Sequence, residues 1–265
     1  MLRCVLRLVG GVLVVTAFVI NGLYDWRRTK DEHVRLRRTI VRASRWSRLW
    51  LRAIGVHIHV RGRYAPERRG GRLIVANHLG YLDPIVMTAV RPAVFVTSVE
   101  VEQAGSIESI VCSLAGCLFI ERRSYRRVVE DRGMLGEALS RYDVVLFPEG
   151  TSSDGSRILP FRSSLYESAV HARADVAAVC SRFTRVDGRD PRRNQAVRDL
   201  VCWYADMTLV PHFIRLLSCS RVDIEVTALE TIPGSSEADR KDLAARTRAT
   251  IAACYAGEND RGPRA

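Results

Sequence analysis

Disulfide, zinc and serine-hydrolase signatures are all missing from this chain of 265 residues. Its seven cysteines (Cys4, Cys112, Cys117, Cys180, Cys202, Cys219 and Cys254) are odd in number and scattered, with no CxxC pair and no zinc-type spacing. Reduced thiols in a cytosol-facing domain, and no metal site, are the expectation. No GxSxG elbow surrounds Ser152 or Ser153, which argues against a serine-hydrolase mechanism. His33, His57, His59, His171 and His212 lack carboxylate or cysteine partners at matching spacing and read as structural. No internal repeat and no nucleic-acid fold motif is present. Acid is also in short supply: 29 Asp and Glu face 41 Lys and Arg, a net charge of +12. That balance favours anionic partners, either nucleic acid or anionic lipid.

The placement of charge separates those two. Leu6 to Tyr24 (LRLVGGVLVVTAFVINGLY) is apolar apart from Arg7 and Asn21, and ten Lys or Arg follow between Arg27 and Arg52. Basic residues massed directly after an apolar segment point to a membrane surface, with the remainder of the chain on the cytoplasmic side. The apolar stretch is marginal in length for a spanning helix. No small-x-small cleavage site follows it, and Tyr24, Asp25, Trp26 and Arg27 resemble an interface, so an uncleaved anchor is expected. Val34 to Ile54 then repeats apolar residues at helical spacing with arginines between them, as in a helix lying among lipid headgroups or packed on the domain. The organisation expected is an anchor and basic amphipathic helix over 1–54, a catalytic domain over 55–256 and a frayed tail over 257–265.

After Gly55, β-rich runs alternate with helical stretches, the pattern of an α/β domain with a mixed, mostly parallel sheet of about seven strands. Strands are expected at Val56–Arg61, Arg72–Ala76, Ala93–Val96, Cys117–Glu121, Val144–Phe147, Val176–Ser181 and Val222–Ala228. Helices are expected at Pro84–Ala89, Tyr125–Ser140, Ser164–Arg173, Asp206–Leu217 and Glu237–Tyr255. Arg185 to Arg198 lacks apolar periodicity and reads as an exposed insertion.

Three of these strands run into polar clusters, and sites in α/β sheets gather at strand ends. The first cluster is Asn77-His78-Leu79-Gly80-Tyr81-Leu82-Asp83-Pro84. Asp83, just before a proline suited to a helix start, reads either as an N-cap or as a carboxylate reaching back to one imidazole nitrogen of His78. In the second case the tautomer is fixed and the other nitrogen is left as a base. A His–Asp dyad without a partnered Ser or Cys suits a nucleophile supplied by the substrate, such as an alcohol attacking a thioester. The second cluster, Gly116-Cys117-Leu118-Phe119-Ile120-Glu121-Arg122, offers Arg122 as a bidentate phosphate ligand. The third, Phe147-Pro148-Glu149-Gly150-Thr151, offers a close backbone approach at Gly150 and a hydroxyl at Thr151. Glu149 repels phosphate and reads as holding an arginine or accepting from a substrate hydroxyl.

Together these blocks resemble the glycerolipid acyltransferases of the lysophosphatidic acid acyltransferase type, in the order NHLGYLD, GCLFIER, FPEGT and a weaker VAAV, over roughly Leu73 to Val179. The resemblance implies that His78 is the base of this HxxxxD motif and Asp83 its orienting partner. It implies further that Arg122, Glu149, Gly150 and Thr151 line the acceptor site, with Gly116 and Arg162 also on the substrate side. It implies an α/β domain held on the membrane by N-terminal helices, with acyl-CoA or acyl carrier protein as donor substrate and no cofactor. The segment Trp203 to His212 is similar to one in some bacterial members and receives no catalytic role.

Two positions depart from the pattern. Ser152 stands where many members carry a basic residue, and Ala177 where many carry a proline; Arg123, Arg157 or Arg162 are the available substitutes. The expected reaction is acylation of 1-acyl-sn-glycerol 3-phosphate, with a lyso-aminolipid such as lyso-ornithine lipid as the alternative acceptor. A non-enzymatic basic membrane-surface protein is the rival class, and it leaves the three blocks unexplained.

Overall fold

Seven strands form one sheet in the order β1-β7-β6-β2-β5-β3-β4, seen in a computed structural model that describes residues 1–63, 70–98, 107–120 and 133–257. The strands are β1 (Val56–Arg61), β2 (Leu73–Ala76), β3 (Val94–Ser98), β4 (Cys117–Ile120), β5 (Val144–Leu146), β6 (Val176–Val186) and β7 (Val222–Ile232). Every pairing is parallel except β6 with β7, so the sheet is mixed and mostly parallel. Its central strands β2 and β5 are buried along their whole length, which is why they read as unbroken apolar runs.

Helices cover both faces. One side carries α2 (Glu32–Ala53), α3 (Leu82–Val90) and α7 (Leu209–Ser218), whose Leu51, Val86, Met87, Leu216 and Leu217 pack over Ile74 and Val145. The other carries α5 (Glu167–Ala172), α8 (Arg240–Ala256) and a helical stretch at 133–139, with Leu139, Ala169, Leu243 and Ile251 over Leu73 and Val75. Polar caps set the long helices. Asp31 accepts from Val34 N at 2.9 Å to start α2, Asp239 accepts from Lys241 N at 2.6 Å to start α8, and Gly257 closes α8 in the left-handed region.

The N-terminal helix α1 (Leu2–Arg28) is long and apolar enough to cross a membrane, yet it lies along the domain. Its buried positions are Gly11, Phe18 and Gly22, a narrow stripe of helical spacing. A side chain at Gly22 would come within 3.2 Å of Leu114, and one at Gly11 within 3.3 Å of Trp50. Arg42 of α2 crosses to Asp25 at 2.6 Å, while Arg7 reaches the carbonyls of Leu217 at 3.3 Å and Ser220 at 2.8 Å. Docked at both ends, α1 leaves most of its remaining surface exposed and apolar.

Several expectations need correction. Strands β6 and β7 run to eleven residues each, past the expected ends, because their polar residues pair across the ladder: Arg182 meets Glu225 at 2.9 Å with both side chains buried. Arg185 to Arg198 is exposed along most of its length, as expected, but it is anchored and partly regular. Val186 and Val197 are fully buried, and Asp190 and Asn194 cap two short turns, Pro191–Arg193 and α6 (Gln195–Arg198). Those capping residues are what gave the segment its loop-like composition. Helix α4 (Ile107–Ala115) has no counterpart among the expected elements. The first half of the expected Tyr125–Ser140 helix lies outside the described residues, as does Glu121 at the end of an expected strand, and the second half of that helix is helical over 133–139.

Candidate active site

β2 delivers Asn77 and His78 at its carboxyl end. The Asn77 carboxamide donates to Ser181 O at 2.9 Å and accepts from Ser181 N at 2.8 Å, so a side chain extends the β2–β6 ladder by one rung. His78 is thereby held at the point where the chain leaves the sheet. Its backbone N–H donates to Glu149 Oε1 at 2.8 Å, and its carbonyl accepts from Ser153 N at 3.0 Å. The first and third polar blocks are therefore bolted together through the backbone of His78.

The imidazole Nδ1 lies 2.9 Å from Asp83 Oδ2. Asp83 is fully buried in the first turn of α3, and the same Oδ2 accepts from Gly80 N at 2.9 Å and from Leu79 N. Two amide N–H groups point at this oxygen and mark it as an acceptor, so Nδ1 is the donor to it and Nε2 keeps its lone pair. The His78 side chain is 22% exposed although its Nδ1 is engaged by the fully buried Asp83, so part of the ring is within a substrate's reach. Asp83 is not the N-cap: α3 begins at Leu82, its cap is Tyr81, and Pro84 sits two residues further in than a first-position proline would. The Phe147 ring stacks on the imidazole at 4.6 Å between centroids and 20° between planes, which limits rotation of the base.

The remaining expected site residues divide. Glu149 is 4% exposed, and its second oxygen accepts from Leu159 N at 2.9 Å. Both oxygens are thus taken by backbone amides, and the carboxylate braces two loops instead of holding an arginine. Burial pushes its pKa up, partly offset by those two amide bonds. Gly150 has φ +73, and a β-carbon there would come within 2.7 Å of the Arg162 guanidinium. Only glycine combines that backbone angle with an arginine lying across it. Thr151 is exposed beside them. Arg162 also donates its backbone N–H to Pro148 O at 2.9 Å, which ties it to the same turn. Gly116 belongs elsewhere: it is buried, and a β-carbon would meet Ile40 at 3.1 Å and Leu36 at 3.2 Å, so it permits close packing on α2 and does not line the site. Ala177, at the departure in the fourth block, is buried within β6 beside a register shift against β7 and presents no group to a substrate. Arg122 and Arg123 lie outside the described residues.

Two features escaped the sequence reading. The Trp203–His212 segment buttresses the catalytic loop: Trp203 N donates to Leu79 O at 2.9 Å, and the Tyr81 hydroxyl bonds His212 Nδ1 at 2.9 Å. His212 is fully buried, its Nε2 lies 3.0 Å from Cys202 O, and burial lowers its pKa, so it is the neutral tautomer that donates to Cys202 and accepts from Tyr81. The second is an apolar cavity of about 260 Å³ between α1, α2, α3 and α4. Val15, Phe18, Trp46, Trp50, Ile85 and Val111 are among its walls, as is Pro84, next to Asp83 in the chain. Its lining gives room to a hydrocarbon and few polar partners.

A family model described as Acyltransferase matches residues 57–182. The chain is 31% identical over 211 residues to the 1-acyl-sn-glycerol-3-phosphate acyltransferase of Neisseria gonorrhoeae, covering 79% of each chain. It is 35% identical over 181 residues to the lyso-ornithine lipid O-acyltransferase of Brucella abortus, covering 65% of this chain and 66% of that one. Among solved structures, the 1-acyl-sn-glycerophosphate (LPA) acyltransferase of Thermotoga maritima superposes with a TM-score of 0.70 over 99% of both chains at 15% identity, a likeness of fold.

Proposed function

The chain belongs to the acyltransferase family of the lysophosphatidic acid acyltransferase type, and on that premise we propose that it moves a fatty acyl group from a thioester to the free hydroxyl of 1-acyl-sn-glycerol 3-phosphate, giving phosphatidic acid. The observation that carries the mechanism is the His78–Asp83 bond on an imidazole that remains partly exposed. Nε2 takes the proton of the acceptor hydroxyl as its oxygen attacks the thioester carbonyl. The resulting imidazolium is stabilised by Asp83 and returns the proton to the thiolate as the C–S bond breaks. No acyl-enzyme forms: the imidazole's partner is Asp83, and the nearby Ser153 hydroxyl is spent on the His78 backbone carbonyl at 3.3 Å, not on the ring. Acyl-CoA or acyl carrier protein supplies the thioester, and no cofactor is needed.

The apolar cavity beside Pro84 holds an acyl chain, and Arg162 at the Gly150 turn supplies a cation for the acceptor phosphate. The protein is membrane-associated through α1. It acts at the cytoplasmic face of the inner membrane, where the basic run from Arg27 to Arg52 meets anionic lipid. A second acceptor, a lyso-ornithine lipid, is favoured by Ser152 in place of a basic residue and by the Brucella abortus relative. A panel of lysolipids with one labelled acyl thioester tests the choice. Label entering lysophosphatidic acid supports the first acceptor, and label entering only the lyso-ornithine lipid replaces it with the second.

A further inference from the structure

Helix α7 has two unlike faces. His212, Leu216 and Leu217 point into the domain and are fully buried, whereas Leu209, Val210 and Ile214 are 45%, 67% and 48% exposed. The outer face is not an isolated patch. The Cys4 thiol lies 3.9 Å from Ile214 O, and Arg7 bonds the carbonyls that end α7, so the helix lies against the first turns of α1. There Leu2, Val5, Leu6, Leu8 and Val9 are also exposed. Arg7 is turned inward onto those carbonyls and does not interrupt this apolar ground, while Arg3, exposed in the first turn of α1, is the second charge of the stretch. Contiguous apolar surface on two touching helices exceeds the scattered exposed leucines of a soluble domain.

We propose that the outer face of α7 is a membrane-docking surface, continuous with α1, and that its occupant is the headgroup and acyl boundary of a lipid bilayer. A single rod such as α1 resting in a bilayer leaves the domain free to roll about its axis. Contact through α7, set to one side of α1, stops the roll. It does so next to the chemistry, since the inner face of α7 bonds Tyr81 through His212, two residues from Asp83. Arg215, exposed on the same helix, supplies a headgroup cation at the rim.

Only the kinetic arm of the test rests on the acyltransferase reading. The full-length protein is subjected to hydrogen exchange with and without vesicles of phosphatidylethanolamine and phosphatidylglycerol. The amides of 212–216 are expected to slow about tenfold on vesicles. Unchanged exchange overturns the proposal, as does protection that tracks protein concentration without lipid, which would mark a second copy of the chain as the occupant. In the kinetic arm, a Val210→Asp, Ile214→Asp double variant is expected to lose about tenfold in rate on a long-chain lysolipid held in vesicles. It keeps its rate on a short-chain lysolipid dissolved as monomers. Val60→Asp, on the exposed edge strand β1, alters neither rate. Equal loss on both acceptors, or loss on neither, overturns the proposal. Absence of transfer by the unaltered protein on both acceptors condemns the enzymatic reading and leaves the exchange experiment to decide the docking surface.

Discussion

Asp83 Oδ2 lies 2.9 Å from His78 Nδ1 while accepting the amide of Gly80, also at 2.9 Å, so one oxygen orients the base and closes the loop that carries it. Asp83→Asn puts an amide where both an imidazole N–H and backbone N–H groups need an acceptor. The expected result is a fall in kcat of about 10²- to 10⁴-fold with KM little changed, together with a lower melting temperature from the disturbed loop. Steady-state kinetics and thermal unfolding of the purified variant check both.

The dyad was legible in the sequence because five residues spanning a tight turn are a local matter. The sheet was legible too, since β2 and β5 are plain apolar runs between polar clusters. Relationships across long stretches of chain were not. Glu149 looked like a substrate ligand because nothing local shows that His78 N and Leu159 N, 71 and 10 residues away, would take its oxygens. Gly116 sat in a motif, yet its neighbours are Ile40 and Leu36 from a helix whose sequence fitted a place among lipid headgroups as well as one packed on the domain. His212 had no partner at motif spacing, and its partner Tyr81 is 131 residues distant.

That Tyr81–His212 bond carries its own prediction. Tyr81→Phe strands a buried imidazole acceptor, at a cost of about 1–3 kcal/mol in stability. A cycle with His212→Phe should be non-additive, the double variant losing less than the sum of the single variants. Denaturant unfolding of the four proteins measures it, and strict additivity shows the two side chains to be uncoupled.

Arg162 lies across the Gly150 turn as an exposed cation. Arg162→Ala is expected to raise KM for 1-acyl-sn-glycerol 3-phosphate about tenfold or more while leaving kcat within a few-fold, since a charge-assisted bond to phosphate contributes about 1.5–3 kcal/mol. Initial rates against acceptor concentration give the split. Gly150→Ala should raise KM in the same direction by displacing the guanidinium.

Asp223 sets an acid-side dependence of stability. Hydrogen bonds from Arg221, with a second from His59, hold its pKa at about 2, below the ordinary 3.8. A carboxyl whose folded value is depressed stabilises the protein above its ordinary pKa, and that contribution is lost as pH falls from about 4 to about 2. The difference in melting temperature between the unaltered protein and Asp223→Asn should therefore be largest above pH 5 and shrink toward pH 2. Melting curves across that range check the sign.

The central claim is that His78 is the base for direct transfer, and His78→Ala in the full-length protein, assayed with an acyl thioester and a lysolipid, tests it most directly. The account predicts a fall in kcat of about 10²- to 10⁴-fold in a protein that remains folded, with no acyl group bound covalently to either protein. Transfer at the unaltered rate, or an acyl-enzyme trapped on a serine or cysteine, contradicts it.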